Sequence, residues 1–152
     1  MSEHRMQTIW QRTSADFTYA TYNRDHEWRF KGGVTVNASA SPQYKGIPNL
    51  PDPEDAFVAA VSSCHMLTFL AVAAKRGFVV DRYEDPAVGS LEKNAQGKLA
   101  ITRVALSPRI VFAGERQPDS ETLRQMHDEA HHGCFIANSI STQVSVNEQA
   151  PS

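Results

Sequence analysis

Residues 53–77, PEDAFVAAVSSCHMLTFLAVAAKRG, have the signals that begin and end a helix and very few polar residues between them. Asp52 can accept hydrogen bonds from the first free backbone N–H groups, and Pro53 suits the first helical position, where its missing N–H is not needed. Gly77 can take the left-handed conformation that commonly ends a helix. The stretch therefore predicts one helix of about 24 residues and about 36 Å. Because this helix is apolar all round, we expect it to lie buried at the centre of the core.

Length alone would also suit a membrane span, which requires about 20 apolar residues. The group Ser62-Ser63-Cys64-His65 interrupts the apolar surface in the middle of the segment, and the uninterrupted apolar runs are short. The sequence therefore favours a core helix of a soluble protein over a membrane helix.

Composition favours an ordinary soluble chain with a single domain over residues 1–152. The 152 residues are 41% hydrophobic and 21% charged, and the formal net charge is −2. That charge gives no electrostatic basis for binding nucleic acid or an anionic membrane surface. The first six residues lack an apolar signal core, so we expect a cytoplasmic protein whose cysteines are kept reduced.

Alternating apolar residues on both sides of the helix predict strands, separated by polar or glycine-containing turns. Before the helix we expect strands over 17–22, 28–31 and 34–40, then a proline-rich loop. After it, strands over 78–83, 87–92 and 99–112 precede a helix capped near Asp119, a short helix near Cys134 and a closing strand over 140–146. Pro108 predicts an edge or a bulge within the longest run. This order predicts an α+β fold with helices on one side of antiparallel sheet.

Two cysteines, Cys64 in the long helix and Cys134 near the C-terminus, are the first candidates for chemistry. A single buried free cysteine is most often an inert part of the core. Cys64, however, is flanked by two serines and a histidine in a helix otherwise almost free of polar groups. In a reducing compartment a cysteine pair is more often catalytic or redox-active than a structural disulfide.

Histidines form a second candidate group at His127, His131 and His132. The first two are four residues apart, a spacing that can place two imidazoles on one metal ion. The intervening residues do not match the zinc-protease motif, because Asp128 follows the first histidine and the glutamate is displaced by one position. A solvated helix face is therefore the favoured interpretation of this cluster, and no metal site is predicted.

The two cysteine motifs together resemble those of the OsmC and organic hydroperoxide resistance (Ohr) family of thiol peroxidases. Pro53-Glu54, followed by the small-residue run Ala59-Ala60-Val61-Ser62-Ser63-Cys64, is similar to the family's motif for the reactive cysteine. The segment from Cys134 to Asn138 is similar to its second motif, although Phe135 stands where a proline often follows the cysteine. The run Cys64-His65-Met66-Leu67 resembles an OsmC-like branch of the family. The resemblance extends over nearly the whole chain.

The resemblance implies an OsmC-like fold, with antiparallel sheets wrapped around a long central helix in an intertwined homodimer. It also implies a peroxidase that reduces organic hydroperoxides with Cys64 as reactive and Cys134 as resolving cysteine, the two forming an intramolecular disulfide. Arg24 fits the family's active-site arginine, with Arg29 as the alternative, and Glu54 is its acidic partner. No bound cofactor is implied; an external dithiol, of the lipoyl-protein type, would reduce the disulfide.

The residue types suit that chemistry on general grounds. Peroxide is attacked by a thiolate, and a free cysteine with a pKa of about 8.5 is mostly protonated at neutral pH, so a fixed cation is needed nearby. Arg24 could supply this charge and stabilise the leaving oxygen, while Glu54 could orient the guanidinium by a bidentate ion pair. The sequence does not assign a role to His26 or His65.

Two other classes of function remain open at this stage. One is a metal-binding or redox-sensing protein without peroxidase turnover, using Cys64, His65, Cys134 and the histidine cluster. The other is a binding module in which both cysteines belong to the core.

Helix geometry gives an independent reason to expect a dimer. Ten residues of helix separate Glu54 from Cys64 by about 15 Å, and their side chains point about 80° apart. If both serve one site, Glu54 would reach the Cys64 of a partner across a two-fold axis. The alternative within one chain is a break in the helix near Ser62-Ser63.

Overall fold

The computed structural model describes residues 1–148, and the chain falls into two compact units, Met1–Ala56 and Phe57–Ser152. Within the described residues, two α-helices and three small β-sheets form an α+β protein, as the sequence predicted. The single domain predicted over residues 1–152 stays a prediction.

The N-terminal unit contains a three-stranded antiparallel sheet of β1 (Gln7–Ile9), β2 (His26–Arg29) and β3 (Thr35–Ala38), in that order. The strand predicted over 17–22 is wrong, because these residues form turns. Backbone N–H groups of Thr21 and Tyr22 both donate to the Thr18 carbonyl at 3.0 Å, and the Thr18 and Thr21 hydroxyls hydrogen-bond each other at 2.9 Å. Such local bonds compete with a strand ladder. The first strand, β1, was not predicted.

Helix α1 (Pro53–Lys75) is continuous and begins and ends close to where the sequence predicted. The Asp55 N–H donates to Asp52 Oδ1 at 2.9 Å, and the Asp52 N–H donates to Asp55 Oδ2 at 3.1 Å, so each side chain caps the other's backbone. Gly77 takes the left-handed conformation, with φ of 78°. The alternative break at Ser62-Ser63 is absent.

The complete burial predicted for α1 is wrong for a single chain. Only Val61, His65, Phe69 and Ala73 of this helix are buried, whereas Leu67 is 63% exposed. The four buried residues recur every four positions, so they form one stripe of the helix. By length and composition α1 could cross a membrane, a property that core helices of soluble proteins share.

The C-terminal unit contains two sheets. One pairs β4 (Val79–Glu84) with β7 (Arg109–Ala113) in antiparallel fashion. The other has the order β5 (Val88–Lys93), β6 (Leu99–Leu106), β8 (Gln143–Val146), and β8 runs parallel to β6. That parallel pair departs from the purely antiparallel sheets we expected.

Pro108 marks a larger break than the predicted edge or bulge. It ends the run at β6, and the chain continues as β7 in the other sheet. Proline cannot donate to a ladder, and the neighbouring Ser107 N–H donates instead to Asp85 Oδ1 at 2.7 Å. One apolar run therefore supplies strands to two different sheets.

Helix α2 (Ser120–Gly133) is capped by Asp119, whose carboxylate accepts from the Thr122 N–H at 2.7 Å. It contributes to one of two core clusters, formed by Phe69, Ala73, Phe78, Met126 and Ala130. The second cluster, Val61, Val104 and Leu106, lies between α1 and the β5-β6-β8 sheet.

Past α2 the predicted short helix is a single 3₁₀ turn, Ala137–Ser139. Both cysteines belong to this unit.

Candidate active site

Cys64 and Cys134 are brought together where the end of α2 meets the middle of α1. Cys64 lies on α1 and is half-buried, whereas Cys134 directly follows α2 and is 1% exposed. Both are free thiols, and the Cys64 side chain lies within hydrogen-bonding reach of the Cys134 side chain. Seventy residues separate them in the sequence, so this contact is a product of the tertiary fold.

The buried thiol of Cys134 is held in its protonated form. Burial, followed by the hydrogen bond with Cys64, raises the pKa of Cys134 above its ordinary value, although the Ala137 N–H donates to its sulfur at 3.4 Å and acts in the opposite direction. The Asn138 N–H donates to the Cys134 carbonyl at 3.0 Å and fixes the backbone there. At neutral pH this residue is therefore a thiol rather than a thiolate.

A close approach of the two helices makes the contact between the cysteines possible. A Cβ atom at Gly133 would lie 2.9 Å from Thr68 Cγ2, so only glycine fits there without movement. The Thr68 hydroxyl in turn donates to the Cys64 carbonyl at 2.9 Å. The glycine that precedes Cys134 thus allows the thiol to reach α1.

Arg24, the predicted active-site arginine, lies in an aromatic cluster of the N-terminal unit. Its guanidinium stacks on the Tyr22 ring, with Cζ 3.6 Å from the ring centroid, and it donates to the carbonyls of Tyr19 and Tyr22. Trp10 and Phe17 complete the cluster, their ring centroids 5.9 Å apart. The side chain of Arg24 is thus held by its own loop.

Within a single chain Arg24 and Glu54 form no ion pair, and the pair expected in a site shared between two chains stays a prediction. Among the described residues neither side chain takes part in a salt bridge. Arg29, the alternative arginine, pairs with Glu27 on the same strand. His26, for which no role was predicted, donates from Nδ1 to the Arg24 carbonyl at 2.8 Å.

A buried histidine pair joins α1 to α2 beside the cysteines. His65 Nε2 and His127 Nδ1 are 3.0 Å apart, and the two side chains are 1% and 3% exposed. Burial is the main reason that the pKa of each falls from 6.5 to about 4, so both imidazoles are neutral at pH 7. The solvated helix face predicted for the histidines is therefore wrong for His127.

The contact between His65 and His127 was not predicted, although the position of each histidine in its helix indicates a buried side chain. His65 falls in the stripe Val61, His65, Phe69, Ala73, and His127 follows Met126 in the apolar face of α2. Histidine at such a position indicates a buried imidazole that needs a hydrogen-bond partner. The spacing predicts that each histidine side chain is buried, but it does not predict that the two side chains contact each other.

Other polar groups lie close to the histidine pair. The Ser62 hydroxyl donates to Asp85, a residue without a predicted role. Burial, and then the charge of Asp85, raises the pKa of Tyr83 far above its usual range. No group of three or more His, Cys, Asp or Glu side chains in the described part of the chain is arranged to hold a metal ion.

The α+β fold thus places two free thiols within hydrogen-bonding reach of each other, one on the long apolar helix α1 and one directly after α2. Residues 46–149 match the family model described as OsmC-like protein. The chain belongs to the OsmC-like family.

Solved structures agree with this assignment. An OsmC-like protein of unknown function from Vibrio cholerae is 47% identical, with a TM-score of 0.94 over 98% of this chain and 100% of that one. An organic hydroperoxide resistance protein of Legionella pneumophila is 16% identical, with a TM-score of 0.71 over 100% and 98% of the two chains. An organic hydroperoxide resistance protein of Bacillus subtilis is 18% identical, with a TM-score of 0.65 over 99% of this chain and 98% of that one. At those lower identities the likeness shows the fold alone. A comparison with curated proteins found no match.

Proposed function

We propose that this protein is a thiol-dependent peroxidase that reduces organic hydroperoxides. The observation that carries the proposal is the contact between the Cys64 and Cys134 side chains, because a peroxidase of this type needs a second thiol within reach of the first. Membership of the OsmC-like family, whose solved folds include proteins named for organic hydroperoxide resistance, supports the choice of substrate class.

The difference in burial between the two thiols supports different roles for them in the reaction. Cys64 is half-buried and would be the thiol that a hydroperoxide reaches first, whereas Cys134 is shielded and protonated. A protonated thiol is a poor nucleophile toward peroxide. Cys64 is therefore the attacking residue and Cys134 the resolving residue.

The reaction then follows in three balanced steps. The Cys64 thiolate attacks one peroxide oxygen, the O–O bond breaks, and the alkoxide leaves as an alcohol after taking up a proton. The Cys64 sulfenic acid condenses with the Cys134 thiol, releasing water and forming an intramolecular disulfide. An external dithiol reduces the disulfide by exchange and is itself oxidised. A lipoyl-type dithiol protein of the cytoplasm is the reductant we propose, and the cycle uses no bound cofactor.

Arg24 and Glu54 are the proposed supporting residues. The guanidinium of Arg24 would favour the thiolate and stabilise the leaving oxygen. To do so, the guanidinium must give up its hydrogen bonds to the carbonyls of Tyr19 and Tyr22 and donate to the substrate instead. Because exposed Phe17 and Tyr19 lie around it, the loop offers an apolar environment that suits an organic substituent more than hydrogen peroxide.

A homodimer with shared sites is part of the proposal. Residues Ala59, Ser63, Leu67 and Ala71 form an exposed, mostly apolar ridge along α1. Their spacing of four residues matches the ridges by which helices pack on one another. A second copy of the chain would cover this ridge and bring its own Glu54 to the Cys64 of the first.

Single-turnover measurements on cysteine variants test the assignment. We expect Cys64→Ser to abolish the reduction of cumene hydroperoxide with dithiothreitol as reductant. Without dithiothreitol, Cys134→Ser should consume about one equivalent of hydroperoxide per chain where it stops as the sulfenic acid, or about two where the sulfenic acid is oxidised further to the sulfinic acid, because no resolving thiol remains. Mass spectrometry of the trapped product identifies the oxidised residue.

Hydrogen peroxide provides the matched comparison, since it has the same reactive bond without the organic substituent. The wild-type protein should be oxidised faster by cumene hydroperoxide. Equal turnover in the two serine variants would refute the assignment of the cysteines, and a preference for hydrogen peroxide would refute the substrate class.

A further inference from the structure

The histidine pair, His65 and His127, plays no part in the reaction proposed above, yet it lies in the contact that brings the two cysteines together. His65 is the neighbour of Cys64 on α1, and His127 is seven residues before Cys134, about two turns back along α2. The Nε2 to Nδ1 distance of 3.0 Å makes this a direct side-chain hydrogen bond between the two helices.

The bond is made between neutral rings in the core. Their planes differ by 9°, and Phe69 packs against His127 with ring centroids 4.5 Å apart. His65 Nδ1 is buried without a hydrogen-bond partner in the described structure. Buried unpaired acceptors are tolerated better than unpaired N–H donors, so the favoured tautomer has the His65 Nε2–H donating to His127 Nδ1.

A hydrogen bond in this place limits how α2 can move on α1. Shifting or tilting α2 would separate two buried polar atoms that water cannot reach, which is unfavourable. The close contact of Gly133 with Thr68 fixes the helices at a second point. Between them, these contacts keep the Cys134 thiol close to Cys64 before any disulfide exists.

We propose that the His65–His127 hydrogen bond positions Cys134 against Cys64 and thereby sets how readily their disulfide closes. Pre-organisation acts by reducing the entropy that is lost when the ring is closed, which raises the effective concentration of one thiol at the other. The pair acts through helix position, and within residues 1–148 neither imidazole hydrogen-bonds a cysteine sulfur, so these are positioning residues. The proposal rests on the proposed function only for its biological purpose, because closure of the disulfide can be measured without hydroperoxide.

The test is the equilibrium of the Cys64–Cys134 pair with oxidised and reduced dithiothreitol. Closure removes two electrons and two protons from the thiols, and oxidised dithiothreitol takes them up to become the dithiol. We expect His127→Leu to lower the closure constant by up to about tenfold, the limit reached when the whole contribution of one buried hydrogen bond is coupled to closure, which corresponds to about 30 mV in the potential. His127→Asn, which keeps an acceptor at the position of Nδ1, should remain close to the wild-type value.

Two further variants separate positioning from packing. In the double variant His65→Leu/His127→Leu both polar partners become apolar, so the fold should be retained, yet the closure constant should still be lowered. The exposed His132→Leu on the same helix should leave it unchanged. A wild-type closure constant in the double variant would overturn the proposal, as would a loss in His132→Leu equal to that in His127→Leu.

A measurement on the unmutated protein tests the same proposal without any variant, so it holds even where a variant does not fold. Coupling is reciprocal, so a disulfide that is favoured by the pair must favour the pair in return. The imidazoles of His65 and His127 should then take up protons at lower pH in the disulfide form than in the dithiol form, as followed by NMR. The charged and titratable groups acting on them are His131 and Asp85 for His65, and His65 itself and then Asp128 for His127. Identical titration in the two redox forms would overturn the proposal, whereas a failed peroxidase assay would leave it standing.

Discussion

At the residue scale, one functional group has two environments in this protein. Cys134 is enclosed by the end of α2 and the 3₁₀ turn that follows, and burial raises the pKa of its thiol. Cys64, by contrast, is only half-buried. In the proposed reaction, this difference in burial would separate the attacking thiol of Cys64 from the resolving thiol of Cys134, which stays protonated until a sulfenic acid forms beside it.

Burial of the histidine pair predicts a loss of stability in acid. In the unfolded chain each imidazole titrates near pH 6.5, whereas in the folded protein the pKa of each is about 4. Between these values the unfolded chain binds protons that the folded one excludes, so the free energy of unfolding falls as pH falls from 6.5 to 4. The upper limit is roughly 3 kcal/mol for each imidazole. Urea unfolding at pH 7, 6, 5 and 4.5 measures it.

The control for this prediction is the double variant His65→Leu/His127→Leu. It retains all the carboxylates, whose titration also affects stability in acid, but lacks the two imidazoles. Its unfolding free energy should depend less on pH between 6.5 and 4 than that of the wild-type protein. The same dependence in both proteins would mean that the pair does not stay neutral in the fold.

At the element scale, α1 packs against the β5-β6-β8 sheet at a strand position without a side chain. A Cβ atom at Gly89 in β5 would lie 2.5 Å from Val58 Cγ2 of the helix and 3.4 Å from Ile101 Cγ2 in the neighbouring strand. Glycine is otherwise unfavourable inside a strand. Its presence here allows the helix and sheet to approach closely and to form the cluster around Val61 and Val104.

We therefore expect Gly89→Ala to destabilise the protein by about 1–3 kcal/mol through overpacking. Val58→Ala removes the methyl group that would collide, so the double variant Gly89→Ala/Val58→Ala should recover part of the loss. Urea unfolding of the four proteins in this cycle gives the coupling energy. Strictly additive effects would show that the contact between Gly89 and Val58 does not limit the packing.

The elements that could be predicted are those with local signals. The ends of α1 follow from Asp52, Pro53 and Gly77, which act on neighbouring backbone groups whatever the rest of the fold does. The segment 17–22 lacked such a signal, because alternating aromatic residues suit both a strand and the cluster that they form. The parallel pairing of β8 depends on the path of the whole chain.

The candidate site divides in the same way. Cys64 stood out through its local polar neighbours, but its contact with Cys134 depends on how α2 packs on α1. His65 and His127 each lie in an apolar stripe of their own helix, and only the tertiary structure pairs them. In a single chain the Arg24 guanidinium contacts backbone carbonyls and an aromatic ring of its own loop, which the sequence pattern did not predict.

At the scale of the whole molecule, α1 has an exposed, mostly apolar ridge, formed by Ala59, Ser63, Leu67 and Ala71. An apolar helix that buries one stripe leaves Leu67 63% exposed, together with the small residues beside it. Exposed apolar patches of this kind indicate an interaction site. The continuity of α1 also removes the break that would have folded Glu54 back toward Cys64 in the same chain.

These observations lead us to predict an obligate dimer in which Glu54 of one chain serves Cys64 of the other. Co-expression of Glu54→Ala and Cys64→Ser chains with different tags allows the heterodimer to be purified. It contains one site with both residues intact and one with neither, so it should have about half of the wild-type peroxidase activity. Each variant homodimer lacks one of the two residues in both sites, so Cys64→Ser should be inactive and Glu54→Ala strongly impaired. Activity of the heterodimer no greater than the mean of the two homodimers, or a monomer in sedimentation, would contradict the shared site.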